Sequence, residues 1–296
     1  MNRREAGFLL LTSHLGDPDS RPLTASQLRS LAQRIQSMLK PEEDRELTVQ
    51  DFLHLGYSRE MADRILRLLS REEQLSHYLR RGQRADCVPI TRISACYPQI
   101  LRHRLGLDAP GCLWAKGDLS LLNRPSIALV GSRDLQEPNR QFACAVGIYA
   151  AKQNLVLVSG NARGADKTAQ EACLAAGGQV ISVVADALAG LTLRENLLYL
   201  SEDGFDEAFS AQRAISRNRC IHAMGQVVFV AQAALNKGGT WDGTVKNLRS
   251  AVSPVLCFLD GSAASAELEQ LGAYLIATDQ LEDFENLTLN NNFLDR

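Results

Sequence analysis

The chain has 296 residues, 45% of them apolar and 22% charged, and a formal net charge of −2. That is ordinary globular composition, long enough for one large domain and a smaller one. No stretch approaches the roughly 18 to 20 apolar residues that span a bilayer, which excludes a membrane helix and leaves no membrane partner to expect.

The N-terminal M-N-R-R-E-A-G-F-L-L-L-T-S begins basic, but its apolar run from Phe8 to Leu11 is too short for a signal peptide, so a cytoplasmic protein is expected. Residues 24 to 82 read as all-helical. Leu28, Leu31, Ile35 and Leu39 recur at helical spacing behind Thr24 and Ser26, either of which could cap. T-V-Q-D-F-L-H-L-G ends a second unit at Gly56, and Ser58 caps a third with Glu60 in its first turn. A fourth runs from Glu72 to Arg81 and closes at Gly82. This module, residues 1–85, either meets a DNA backbone or a partner protein, or packs with a solvated arginine face.

Residues 86–125, with Pro89, Tyr97-Pro98 and Pro110-Gly111, read as a linker and entry segment, and residues 126–296 as the larger domain. Ile127 to Val130, Leu155 to Val158, Val180 to Val184, Val227 to Val230 and Pro254 to Phe258 are uninterrupted apolar runs that read as strands. Helices are predicted near 139–153, 165–176, Glu195 to Leu200 and Ala214 to Met224, with another opened by Gly238-Gly239. Strands of that kind alternating with helices predict an α/β fold, a doubly wound, mainly parallel sheet covered on both faces. Tyr274 to Ala277 adds an edge element.

In such a sheet ligands bind beyond the carboxyl ends of the strands. Three of these ends carry anion chemistry: Gly131-Ser132-Arg133; Ser159 and Gly160 through Arg163, Gly164 and Asp166; and Lys237-Gly238-Gly239-Thr240. Glycine lets backbone approach an anion, helix N–H groups and hydroxyls donate to it, and the cations add charge suited to phosphate. Asp166 caps its helix or pairs with Arg133 or Arg163, ahead of a role as catalytic base. His222 reads as a helix residue rather than a ligand.

Seven scattered cysteines contain no C-x-x-C pair, so neither a zinc site nor a disulfide framework is expected, and several sit in apolar runs as core residues. There is no G-x-G-x-x-G, Walker lysine, G-x-S-x-G elbow or metal cluster. The sequence therefore predicts no cofactor and binding rather than turnover. The charge is segregated. Residues 210 to 250 carry six basic residues against one acid, residues 59 to 104 ten arginines against five acids, and residues 259 to 296 eight acids against one base. A basic patch on a near-neutral chain suits a polyanion, and the acidic C-terminal segment could occupy it as a DNA mimic.

The ordered set V-G-S-R (130–133), S-G-x-A-x-G-x-D (159–166), R-N-R (217–219) and K-G-G-T (237–240), with Y-P-Q-I-L (97–101) and P-G-C-L-W-A-K-G (110–117) upstream, resembles the DNA-processing protein A (DprA, or Smf) family over about residues 97 to 261. The resemblance implies an extended Rossmann domain preceded by a helical SAM-like module. It also implies single-stranded DNA binding without sequence preference, a homodimer, and loading of a RecA-type recombinase during transformation. By position, Arg133 would contact phosphate, Ser159, Gly160, Gly164 and Asp166 would shape the pocket, Arg217 and Arg219 would supply charge from the R-N-R helix with Asn218 between them at the binding edge, and Lys237 would be the basic residue before the glycine turn. The family's A-H reads Ala169-Gln170 here, its V-E-A reads Ala231-Gln232-Ala233, and its Y-P-x-x-N keeps only Arg194-Glu195-Asn196. No counterpart of the winged-helix tail that many members carry is expected. Trp114 or Trp241 could stack on a base. A second reading is a nucleotide sensor, or a relative of the LOG-type phosphoribohydrolases. There the loop keeps its glycines and Thr244 but has Lys246 and Asn247 where the acid belongs.

Overall fold

Helix starts follow from capping chemistry in the first part of the chain. The computed structural model describes residues 1–36, 46–202 and 204–281. Five helices come first: α1 (Arg3–Thr12), α2 (Ala25–Gln36), α3 (Val49–His54), α4 (Arg59–Leu69) and α5 (Glu72–Arg84). The Ser58 hydroxyl accepts the Met61 N–H at 3.2 Å, and the Thr24 hydroxyl accepts the Gln27 N–H at 3.3 Å. Asp51 takes the Thr48 N–H at 2.7 Å. No helix is expected ahead of residue 24, yet α1 forms there, with Asn2 and Glu5 capping it reciprocally at 2.9 Å.

One expected helix end is displaced. The helix predicted to close at Gly82 continues to Arg84, because Gly82 is buried beneath the Trp114 ring, which a Cβ would meet at 2.7 Å. This glycine permits close approach, and it does not stop the helix. Leu39 and the acidic segment beyond residue 281 lie outside the described residues.

The remaining elements are β1 (Val88–Thr91), α6 (Gln99–Leu105), β2 (Cys112–Lys116), β3 (Ser126–Val130), α7 (Glu137–Lys152), β4 (Val156–Ser159), α8 (Ala165–Ala175), β5 (Gln179–Val183), β6 (Leu197–Ser201), α9 (Ala211–Met224), β7 (Val228–Val230), α10 (Gly238–Ser250), β8 (Val255–Phe258), α11 (Ala263–Gln270) and β9 (Tyr274–Ile276). They form one sheet in the order β1-β2-β6-β5-β4-β3-β7-β8-β9. From β6 to β9 every pairing is parallel, and β2 and β1 add an antiparallel margin. The segment read as a linker thus supplies two strands.

Residues 195–200, predicted as a helix, are instead mostly β6. Its five residues are buried along their length, Asn196 turns the chain at φ 60°, and L-L-Y-L inserts between β5 and β2. The charged pair before that run imitates a first helical turn, but an apolar segment this short fits a doubly covered strand better.

Both faces are covered, as the apolar runs require. Phe142 and Val146 of α7 and Ala169 and Cys173 of α8 pack on one face with Leu129, Leu157 and Phe229. Ile221 and Met224 of α9 and Trp241 of α10 pack on the other with Val130, Val158 and Val183. The helical module keeps its own cluster around Phe52, Ile65 and Leu68, while its Leu75 and Tyr78 join the first core. Among the described residues no helix is long and apolar enough to cross a membrane, and no group of His, Cys, Asp and Glu could hold a metal. Five of the seven cysteines are buried.

Candidate functional site

Strand order reverses at β3, with β4 on one side and β7 on the other, so the loops after these strands flank a crevice at the carboxyl edge. The β3–α7 and β4–α8 loops are in contact. Gly164 sits at φ +82° against the carbonyl oxygens of Ser132 and Arg133, a conformation and an approach open only to glycine. The Ala165 N–H then donates to the Ser132 carbonyl at 3.1 Å, and the Ser132 N–H to that of Gln232 in the β7–α10 loop at 2.9 Å. Gly131 lies beneath this junction, where a Cβ would meet those of Ala165 at 2.5 Å and Ala231 at 3.2 Å.

A cleft of about 330 Å³ opens there, lined by Arg133, Asn161, Ala162, Arg163, Ala185, Asp186, Phe209 and Arg217. Arg133 is exposed, and its guanidinium has no ion pair or hydrogen bond among the described residues. Arg163, also exposed, reaches Asp134 of the neighbouring loop at 3.0 Å.

Beneath the cleft lies a buried polar layer. Ser159 is fully buried and donates to the Leu129 carbonyl at 2.7 Å, so it supports the floor rather than the rim. Arg217 donates to the Val183 carbonyl at 2.9 Å and stands 3.7 Å from Asp166, whose carboxylate also accepts the Ala162 N–H at 3.2 Å. The sequence lets Asp166 cap its helix or pair with Arg133 or Arg163; its ion-pair partner is instead Arg217. Burial raises the Asp166 carboxyl above its usual value, and the guanidinium and the donated hydrogen bonds draw it back. A Cβ on Gly160 would overlap both groups of this pair. Gln170, where the related pattern has histidine, donates to the Gly160 carbonyl and, at 3.2 Å, to the Ser182 hydroxyl.

The R-N-R residues of α9 go three ways. Arg217 faces the cleft floor. Asn218 donates to the Gly239 carbonyl at 3.1 Å, tying the cleft to the third loop. Arg219 points away, paired with Glu202 at 3.0 Å. In the third loop Lys237 is the N-cap of α10 with an exposed ammonium, no side chain among the described residues caps the helix, and Gly238, at φ +86°, and Gly239 are exposed. Thr240 is half-buried in the first turn. The α10 N-terminus thus offers uncapped N–H groups beside a lysine, an arrangement favourable to an anion.

Asp186 and Phe209 were missed from sequence. Asp186 follows the apolar run of β5, where the same strand-end rule would have found it, and Phe209 immediately precedes the Ser210 cap of α9. The two tryptophans offered as stacking faces are withdrawn into the core. Trp114 packs on Tyr78 and Phe205 at 5.2 and 4.9 Å, and Trp241 is 6% exposed. Phe209, 53% exposed, is the ring that reaches the cleft.

Further along α10, Asn247 accepts the Ser253 N–H at 2.9 Å and lies 3.1 Å from His222 Nδ1, and Thr244 is fully buried. These residues fasten α10 to α9. His222 is a helix residue, as its sequence context implied, and burial lowers its pKa from 6.5 to about 4. An imidazole kept neutral when folded protonates more readily when unfolded, so this contribution is present above 6.5 and is lost as pH falls towards 4. Urea titrations should show about 2 kcal/mol lost between pH 7 and 5, and His222→Gln should flatten that slope. An equal slope in both proteins would refute the assignment.

The family model described as DNA recombination-mediator protein A matches residues 89–280. The DNA processing protein DprA of Streptococcus pneumoniae is 34% identical over 205 residues, 64% of this chain and 72% of that one. The X-ray structure of DNA processing protein A from Streptococcus pneumoniae superposes with a TM-score of 0.67 at 26% identity, covering 91% of this chain and 98% of that one. The Helicobacter pylori protein, whose structure concerns its single-stranded DNA binding mode, superposes with a TM-score of 0.57 at 26% identity, covering 69% and 96%.

Proposed function

The chain belongs to the DNA recombination-mediator protein A family, and on that premise we propose that its carboxyl-edge cleft binds the phosphate backbone of single-stranded DNA. One observation carries this reading: among the described residues Arg133 stands unpartnered in a cleft that it lines with Arg163 and with Arg217, the last paired to the buried Asp166. Arg133, Arg163 and the Lys237–α10 start then take successive phosphates, and every contact is to backbone, which suits binding with little sequence preference. The reading makes the chain a binding protein of the cytoplasm rather than an enzyme. It extends to a homodimer that passes DNA to a RecA-type recombinase during uptake and recombination.

Anisotropy titration of a labelled oligo-dT tests it. Three phosphate contacts imply an affinity about 10- to 20-fold weaker at 200 mM than at 50 mM salt. Thermal-shift measurements with mononucleotides should give much smaller shifts than oligo-dT. A large shift with a mononucleotide and none with DNA would make the cleft a nucleotide sensor instead.

A further inference from the structure

We propose that the helical module positions the cleft for DNA: Tyr78 and Arg81 of α5, by holding Asp206, fix one wall of the cleft before a strand arrives. This rests on the backbone-binding reading above and gives the module a part in it.

The hold is made on a single carboxylate. The Tyr78 hydroxyl donates to Asp206 Oδ1 at 2.6 Å, and the Arg81 guanidinium donates to Oδ2 at 2.7 Å. Both are charge-assisted bonds, the stronger kind. Beside them the Phe205 ring packs on Tyr78 at 4.7 Å and on Trp114 at 4.9 Å, and the Arg81 guanidinium lies 5.7 Å from its centroid. Gly204 leaves room for this contact, since a Cβ there would meet the Tyr78 hydroxyl at 2.7 Å. Burial, and then the Asp206 carboxylate, raise the Tyr78 phenol above its usual value, so it stays a donor at neutral pH.

From this anchor the restraint reaches the cleft in two steps. The Phe205 carbonyl accepts the Ala189 N–H at 2.9 Å, which ties the β6–α9 connection to the one after β5. The Arg213 guanidinium then donates to the carbonyls of Ala185 at 2.6 Å, Glu207 at 2.7 Å and Ala208 at 2.8 Å. Ala185 lines the cleft with Asp186 and Phe209, and Ala208 directly precedes Phe209. Residues 204–209 are thus pinned to α5 at one end and by Arg213 at the other. Among the described residues neither Tyr78, Arg81 nor Asp206 lines the cleft. Tyr78 and Arg81 are positioning residues that act through Asp206.

A wall that DNA had to order on binding would cost affinity, and a wall already held avoids that cost. Charge makes the idea separable from simple electrostatics. As an isolated negative charge three residues from Phe209, Asp206 repels a phosphate backbone, and removing it would tighten binding. As the link between module and wall, its loss weakens binding. The two accounts differ in sign.

The test is anisotropy titration of labelled oligo-dT at two ionic strengths with the full chain, each variant first shown to be folded by circular dichroism. Tyr78→Phe, which changes no charge, should weaken binding about 3- to 10-fold. Asp206→Asn should weaken it similarly although it removes a negative charge. The slope of log affinity against log salt should not change in either, because no phosphate contact is lost. Arg81→Ala should weaken binding at an unchanged slope, and Arg81→Lys, which keeps a cation opposite Asp206, should restore most of the loss. Unchanged affinity in Tyr78→Phe together with tighter binding in Asp206→Asn would overturn the proposal and leave the contact a structural staple. A reduced salt slope in Arg81→Ala would also overturn it, by making Arg81 a direct phosphate contact. Failure of the unmodified chain to bind oligo-dT would instead overturn the backbone-binding reading.

Discussion

Arg133→Ala should weaken oligo-dT binding by about tenfold or more, because a charge-assisted contact contributes about 1.5–3 kcal/mol. Combined with Lys237→Ala, the loss should approach a hundredfold, and the slope of log affinity against log salt should shrink by about 0.7 for each phosphate contact removed. The two cations lie on separate loops and share no partner among the described residues, so their effects should add. Two neighbouring changes make the prediction specific to geometry. Arg219→Ala should alter affinity by less than about twofold, because that guanidinium is committed to Glu202 on the other side of α9. Asp134→Asn should tighten binding modestly by releasing Arg163 from its 3.0 Å pair. If Arg219→Ala proves as damaging as Arg133→Ala, affinity follows total charge and the cleft has no special role.

The second large effect is on folding. Asp166→Ala leaves the buried Arg217 guanidinium without its carboxylate, and breaking a buried pair in this way costs about 3–5 kcal/mol. Arg217→Met should be destabilising for the reciprocal reason. The double variant should be less destabilised than the sum of the two, and denaturant titrations of the four proteins measure that coupling. Additive losses would mean the two groups do not interact. Acid should act on this pair in the opposite sense to His222. Burial raises the Asp166 carboxyl, so its stabilising contribution is present below its ordinary value of 3.8 and declines as pH rises through the raised one. Stability lost on mild acidification therefore does not come from this pair.

Periodicity and glycine placement were enough to read the parallel sheet, because β3, β4, β5, β7 and β8 are short apolar runs ended by turn residues. β6 was misread because its local sequence fits a helix, and only the neighbouring strands on both sides decide otherwise. β1 and β2 are hidden by Pro89 within the first and Pro110 just before the second, and their role as an antiparallel margin comes from β2 pairing with distant β6 and β1 pairing with β2. At the site, the motif residues were legible as strand-end loops, but their division of labour was not. Formal charge placed six basic residues in the 210–250 segment, yet Arg213 serves loop carbonyls, Arg217 meets Asp166 and Arg219 meets Glu202. Whether an arginine faces a ligand or its own backbone depends on contacts made across the fold. Phe209 and Asp186 escaped notice for a related reason, since their significance comes from the cleft they share and not from spacing.

Hydrogen exchange with and without a saturating oligo-dT tests the central claim most directly. The account predicts slowed exchange at residues 131–134, 161–164 and 237–240, the three loops of the carboxyl edge. It predicts no change at the opposite edge around Leu122 to Ser126. Protection confined to that opposite edge or to the helical module, with the three loops unaffected, would contradict it.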